Sequence, residues 1–197
     1  MITKDRQYRA FEFEAKEDSK IIEGYAIVFD QETVLYEYDG VQYKEVIERG
    51  AFDKTSLADV VLNIDHAGKP LARTKNNTLQ LTIDAKGLFV RADLSGTEAG
   101  RDAYEEIKGG YFDKMSFAFD WDKSKQEYDS DKRLRTVKEV KRVYDVSVVT
   151  FPAYEQTTVS ARSFFEAEAE KEAMEIAQAE QRKIKTSLLI AQIKSKI

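Results

Sequence analysis

The sequence contains no cysteine and a single histidine, His66. Without cysteine, disulfides, thiol nucleophiles and thiolate metal sites are excluded, and one histidine cannot build a zinc site rich in imidazole ligands. A site for a hard cation made of carboxylates stays open, but no loop spacing indicates one, and we expect neither a metal nor another cofactor. Histidine is the side chain whose ordinary pKa, about 6.5, suits proton transfer near neutral pH. If the chain is an enzyme that moves protons at that pH, His66 is the candidate to carry them.

A strong excess of charge of one sign and long apolar runs are also missing. The 197 residues include 31 Lys and Arg against 36 Asp and Glu, for a net charge of −5. A module that binds duplex nucleic acid would show clustered basic residues, so we expect no nucleic-acid partner. No run of eighteen apolar residues is present, and residues 1–15 lack the hydrophobic region of a secretory signal. We expect a protein of the cytosol without a membrane partner.

Short alternating or apolar runs, separated by polar turns, continue to about residue 162 and predict a mainly β domain with antiparallel strands. The first two runs, around Phe11 and over residues 21–29, predict a hairpin. The remaining strand candidates are residues 41–47, 60–64, 78–83, 88–94, 116–121, 133–140 and 143–150.

The connections between these runs carry their own signals. Gly87 ends the turn that begins at Asp84, where it can supply the positive φ of a hairpin. One helix interrupts the series, since Thr97 suits an N-cap and Gly109-Gly110 a helix end. The charged segment 122–132 predicts an exposed turn region.

The composition changes after Arg162. Residues 165–197 contain no Gly or Pro and are dominated by residues that form or tolerate helices. We therefore predict a β domain over residues 1–162 and a helical tail over residues 163–197, the tail suited to docking or to an oligomer contact.

A serine follows the predicted helix in an unusual setting. The helix end and a turn deliver Ser116 into the start of an apolar strand, in which Met115, Phe117 and Phe119 share one face. Ser116 shares the other face with Ala118, and these small residues leave room for a substrate backbone. A serine in a strand is more often a packing residue, and His66, after a strand, could be an ordinary polar residue, so neither establishes an active site alone.

Several motifs occur together in one order. They are GYAIVFD (24–30), EVIERGAF (45–52), the His66 loop with PLART (70–74), GRDAYEEIKGG (100–110), MSFAF (115–119), DVSVVTFPAYEQTTV (145–159) and Ala161-Arg162. As a set they resemble the prohead maturation serine protease family of tailed bacteriophages. The resemblance implies a serine peptidase that processes the scaffolding region of the capsid protein inside the immature head. It also implies an antiparallel β-barrel of the herpesvirus assemblin type, flanked by helices.

The resemblance also implies roles for individual residues. Ser116 would be the nucleophile and His66 the general base, and because the chain has no second histidine, an acid is expected to orient His66 unless the site is a bare dyad. Asp145 is the first candidate for that acid, and Asp65 is the second. Two arginines, Arg73 and Arg101, are candidates to orient substrate or to support the oxyanion. Ala72 and Ala118 stand where the family commonly has glycine, so positive φ at Ala118 would strain it.

Three functions follow, from different classes. The leading one is a serine endopeptidase whose substrate is the major capsid protein or its scaffolding region, acting in the host cytoplasm inside the assembling prohead. If so, the residues after about Arg162 target or oligomerise the enzyme and are candidates for self-cleavage, and the protein is a candidate homo-oligomer. The second is a non-enzymatic capsid assembly or scaffolding protein. The third is a glycoside hydrolase with two carboxylates, which the abundant acids permit but no motif supports.

Overall fold

A computed structural model describes residues 7–16, 19–38, 40–150 and 159–194. The chain divides into two units, Met1–Ala161 and Arg162–Ile197. The described part of the first is mainly β, with one α-helix, and that of the second lies in a helix. A mainly β fold with a C-terminal helix was predicted, and it is confirmed.

The strands follow one another along the first unit and are separated by short turns, one α-helix and two 3-10 turns, Arg49–Phe52 and Thr74–Asn76. The strands are β1 (Gln7–Lys16), β2 (Ile21–Val28), β3 (Thr33–Tyr38), β4 (Val41–Ile47), β5 (Val61–Ile64), β6 (Ala67–Arg73), β7 (Leu79–Ile83), β8 (Gly87–Asp93), β9 (Lys114–Trp121), β10 (Gln126–Asp129), β11 (Leu134–Val137) and β12 (Val140–Val149). The helices are α1 (Glu98–Lys108), between β8 and β9, and α2 (Val159–Lys194).

Two sheets form from these strands. Within the described residues, the larger has the order β6-β5-β12-β9-β1-β2-β8-β7 and the smaller the order β10-β11-β4-β3. The predicted β1–β2 hairpin is confirmed. Most strand pairs are antiparallel, as predicted, but β5 pairs with β12 and β4 with β11 in parallel. The larger sheet ends at β6 and β7 and does not close on itself, so a barrel is not confirmed.

The core lies against one face of the central strands. Met115, Phe117 and Phe119 of β9 are fully buried in it, as their alternation predicted. Helix α1 adds Ala103, Tyr104 and Ile107. It begins where expected, because Thr97 Oγ1 accepts a hydrogen bond from Gly100 N at 3.0 Å. Because α1 packs into the core, it holds the start of the loop that leads into β9.

Some local predictions need correction. The segment 122–132 contains exposed turns, as predicted, but also the strand β10. The residues after His66 were expected to form a loop and instead form β6. Gly87 does not supply a positive φ. Glycine is needed there because a Cβ would lie 1.8 Å from the carbonyl oxygen of Ile27, so the requirement comes from the neighbouring strand and not from the turn.

The motif DVSVVTFPAYEQTTV (145–159) runs into residues 151–158, which lie outside the described residues, as do the final residues 195–197 of the predicted tail. The side chains of β1, including Phe11, are likewise outside the description. Neither helix in the described part of the chain combines the length and apolar character needed to cross a membrane.

Candidate active site

Ser116 lies in the middle of the larger sheet. It belongs to β9 and is 2% exposed. Because the odd-numbered residues 115–119 enter the core, alternation along the strand turns Ser116 to the opposite face. Ala118 shares that face and is fully buried, so the face is not as open as the small residues suggested.

A break in the register of β12 determines which of its side chains reach the same face. Val143 pairs with Phe119 but Asp145 pairs with Ala118, so Tyr144 is an extra residue, a β-bulge. Val143 and Val146 therefore both enter the core despite being three residues apart. After the bulge, Asp145 shares the face of Ser116.

His66 reaches this face from a tight turn. Ile64 pairs with Ala67, so Asp65 and His66 alone connect β5 to β6. Their φ values are +46° and +57°, as two-residue hairpin turns of type I′ require. Asp and His are among the few non-glycine residues that adopt this left-handed conformation readily. The turn thus carries His66 at the end of β5, beside β12.

The three side chains meet in one line of hydrogen bonds. His66 Nδ1 lies 2.5 Å from Asp145 Oδ1, and His66 Nε2 lies 2.9 Å from Ser116 Oγ. A carboxylate can only accept, so Nδ1 carries the imidazole proton and Nε2 accepts from the serine hydroxyl. The side chains of His66 and Asp145 are 12% and 5% exposed. This arrangement can withdraw a proton from Ser116 and hold it on an oriented imidazole.

Asp65, the second candidate for the orienting acid, has a different partner. Its carboxylate accepts hydrogen bonds from Thr150 N at 3.1 Å and from Thr150 Oγ1 at 3.4 Å. Its backbone N–H donates to Val148 O at 2.9 Å. These hydrogen bonds of Asp65 anchor the turn to the end of β12, and His66 belongs to that turn.

The two predicted arginines make their described contacts elsewhere. Arg73 donates two hydrogen bonds to the carboxylate of Asp59, at 2.5 and 2.7 Å, and this guanidinium lowers the pKa of Asp59. Arg101 Nη1 donates to Ser95 O at 2.8 Å. Among the described contacts, neither arginine meets Ser116, His66 or Asp145.

Ala72 and Ala118, the two alanines that stand where the resemblance implies glycine, are unstrained. Ala72 lies in β6 and Ala118 in β9, and neither has a positive φ. The backbone at Ala118 therefore tolerates a side chain.

Two polar residues on the same face were missed from the sequence. Ser147 is fully buried, pairs directly with Ser116, and donates to Asp145 Oδ1 at 2.9 Å. Asn63 pairs with Ser147 from β5 and is 9% exposed. The spacing of Asp145 and Ser147 places them on one face of a strand and could have indicated Ser147. Asn63 could not be found in this way, because its neighbour is set by a parallel pairing between distant strands.

Comparison with known proteins places these residues in a family. The chain is 32% identical over 146 residues to the prohead protease of Enterobacteria phage HK97, a match that covers 72% of this chain and 59% of that protein. The chain thus spans less than two thirds of this relative. No solved structure matches. The family model described as caudovirus prohead serine protease matches residues 7–172. Because that match covers more than half of the sequence, the chain belongs to the caudovirus prohead serine protease family.

Proposed function

We propose that this chain is a serine endopeptidase that processes the major capsid protein, or its scaffolding region, inside the prohead. In this proposal Ser116 is the nucleophile, His66 the general base and Asp145 the acid that orients His66. The observation that carries the proposal is the continuous line from Ser116 Oγ through His66 to Asp145, with distances of 2.9 and 2.5 Å. Family membership supports the same reaction class.

The proposed reaction is acyl transfer. His66 Nε2 takes the hydroxyl proton of Ser116 as Oγ attacks the peptide carbonyl, and the resulting tetrahedral intermediate collapses when His66 returns that proton to the leaving amine. Water then repeats the sequence on the acyl-enzyme and releases Ser116. Throughout, Asp145 accepts from Nδ1–H, which keeps the lone pair of Nε2 toward Ser116 and stabilises the imidazolium that forms.

Burial supports these roles. A hydrogen bond strengthens electrostatically where solvent is excluded, and both Asp145 and Ser116 are nearly inaccessible. The side chain of His66 is more exposed than that of its partner Asp145. We therefore place the entry of the substrate on the side of His66 and not on the side of Asp145.

The test is co-expression of the capsid protein with wild-type enzyme, Ser116→Ala or His66→Ala, followed by gel electrophoresis and mass spectrometry of the products. We expect either substitution to slow processing by roughly 10³-fold or more, as for other triads. Ser56→Ala is the matched control, because Ser56 is exposed and its described contacts use the backbone. Unchanged processing by both variants would overturn the proposal, and no processing by wild type would favour a scaffolding protein.

Three finer features belong to the same proposal. Arg73 pairs with Val61, which pairs with Asp145; this places Arg73 two strands away on the same face and supports a role in substrate contact. Arg101 stays a weaker candidate for that role. The assemblin-type barrel also stays a prediction.

The helical unit has a separate proposed role. Residues after about Arg162 target or oligomerise the enzyme and are removed by self-cleavage, for which exposed, accessible segments are suited. Intact-mass measurement of active protein tests this part, and active protein that is never shortened would count against self-cleavage.

A further inference from the structure

We infer that Ser147 is a positioning residue of the candidate site, one that holds Asp145 in the orientation His66 needs. The inference rests on the proposed function for its link to catalysis. It is carried by three observations: the hydrogen bond from Ser147 Oγ to Asp145 Oδ1, the complete burial of Ser147, and its place directly across from Ser116.

One oxygen of Asp145 accepts hydrogen bonds from two side chains. Asp145 Oδ1 accepts from both His66 Nδ1 and Ser147 Oγ, at 2.5 and 2.9 Å. Two donors that converge on one oxygen from different elements fix the torsion of the carboxylate more narrowly than either donor does. Because residues two apart on a strand share a face, Ser147 makes this bond at little conformational cost.

The hydrogen-bond partner of Ser147 separates its role from that of Ser116. Each serine hydroxyl has one proton to donate; Ser147 donates its proton to Asp145, and Ser116 directs its own to His66. Cβ atoms of directly opposed residues lie about 4.5–5.5 Å apart, so the two hydroxyls are close neighbours with different partners. Because the Ser147 hydroxyl meets the acid and not the base, Ser147 positions Asp145 and is not activated for attack on substrate.

The bulge at Tyr144 makes the contact possible. Val143 lies in the core, so strict alternation along β12 would direct residue 145 into the core as well. The extra residue shifts the alternation by one position, and Asp145 and Ser147 then lie opposite Ala118 and Ser116. The same irregularity therefore delivers both the acid and its donor to the face of the nucleophile.

The single histidine allows a direct test. Selective ¹⁵N labelling of histidine gives signals from His66 alone, and these signals report which ring nitrogen carries the proton. We expect a proton on Nδ1 in the wild type and a mixture with the Nε2–H tautomer in Ser147→Ala, because the freed carboxylate holds Nδ1–H less well. Labelling of Ser116 by a fluorophosphonate should slow about tenfold, the loss expected for one hydrogen bond to a charged group.

A control variant and a double variant complete this test. Thr55→Val removes another hydroxyl that donates to β12, to Val140 O at 2.7 Å, and should change neither the tautomer nor the labelling rate. In an Asp145→Asn background, Ser147→Ala should slow labelling little further. The carboxylate that the Ser147 hydroxyl positions is already absent from that background, so the two substitutions should not be additive.

The outcomes separate the two proposals. An unchanged tautomer and labelling within twofold of wild type in Ser147→Ala, or equal losses in Thr55→Val, would overturn the positioning role. Labelling that persists in Ser116→Ala would instead overturn Ser116 as nucleophile, while the tautomer measurement still decides the role of Ser147.

Discussion

At the scale of single residues, the position of His66 follows from its backbone. Asp65 and His66 both adopt positive φ, a conformation that costs most residues about 1 kcal/mol or more. Asp65 offsets part of this cost through its bonds to Thr150. The histidine is thus held by a short turn that is itself anchored to β12, which limits the directions in which its ring can move.

Asn63 supplies the first prediction at this scale. Its Oδ1 is buried and has no hydrogen-bond partner among the described residues, and such a group costs about 1–3 kcal/mol. Replacing it with Leu, of similar size, should leave the free energy of unfolding unchanged or raise it by about 1 kcal/mol. Urea denaturation measures this change.

Asn63→Ala is the comparison for that prediction. It removes the same amide but leaves a cavity, so it should be less stable than Asn63→Leu. If Leu destabilises the protein by more than about 1 kcal/mol, Asn63 has a partner that the described contacts do not include, and the reasoning from an unpaired Oδ1 is wrong.

Prediction from sequence reached the site only in part. The resemblance selected Ser116, His66 and Asp145, and the structure brings these three side chains together. Ser147 and Asn63 were not selected. Their significance depends on which strands lie beside them, and no local pattern around either residue encodes the neighbour across the sheet.

At the scale of secondary-structure elements, the smaller sheet contains a buried ion pair between two neighbouring strands. The guanidinium of Arg135 on β11 lies 2.6 and 2.8 Å from Glu45 Oε2 on β4, and the two residues are 1% and 2% exposed. They face each other in the parallel register of these strands. The Arg135 guanidinium also lies 4.7 Å from the centre of the Trp121 ring.

Breaking the ion pair between Arg135 and Glu45 should lower the free energy of unfolding. Glu45→Gln removes the charge that compensates Arg135, and we expect the free energy of unfolding to fall by about 3–5 kcal/mol. Glu127→Gln is the control, because Glu127 pairs with Lys138 at the surface of the same sheet and is 70% exposed; its loss should be within about 1 kcal/mol. Chemical denaturation of both variants checks the difference, and equal losses would contradict the role assigned to burial.

Elements with complete local signals were predicted well. Thr97 and Gly109-Gly110 bounded α1, and β4 was predicted over its full extent. The parallel pairs were missed, since β5 and β12 are far apart in the chain and their pairing depends on long-range packing. The β12 bulge was missed for the same reason, because it is defined only relative to a partner strand.

At the scale of the whole molecule, stability should depend on pH through a hydrogen bond between distant parts of the chain. Tyr25 Oη donates to Asp84 Oδ2 at 2.7 Å. This bond lowers the pKa of Asp84, to which the backbone N–H groups of Gly87 and Lys86 add. It also raises the pKa of Tyr25, together with burial and the charge of Asp84.

The two pKa shifts have opposite signs, so the bond loses its stabilising effect at both acid and alkaline pH. The folded pKa of Asp84 lies below its unfolded value, so its contribution is complete above about pH 4 and is lost as the pH falls through the folded pKa. The folded pKa of Tyr25 lies above its unfolded value, so its contribution is complete below about pH 10 and is lost as the pH rises through the folded pKa.

Tyr25→Phe tests both limits together. The substitution keeps the ring that packs edge-on against Phe89 and removes only the hydroxyl. We expect lower stability at neutral pH and a smaller loss toward both acid and alkali, measured as urea midpoints across the pH range. A variant whose pH profile runs parallel to that of the wild type would show that this bond contributes no pH dependence.

The interior position of β12 in the larger sheet has a consequence for when the candidate site can form. This strand lies between β9 and β5 in the sheet. It carries Asp145 and Val148, and Thr150 directly follows it; Val148 and Thr150 anchor the turn of His66. A ribosome makes the chain from the N-terminus at about 5–20 residues per second, so Ser116 and His66 emerge before the strand that joins them. Until that strand inserts, the nascent protein has both reactive side chains but no working arrangement of them. Formation of the candidate site therefore waits for the insertion of β12, when nearly the whole β unit has been synthesised.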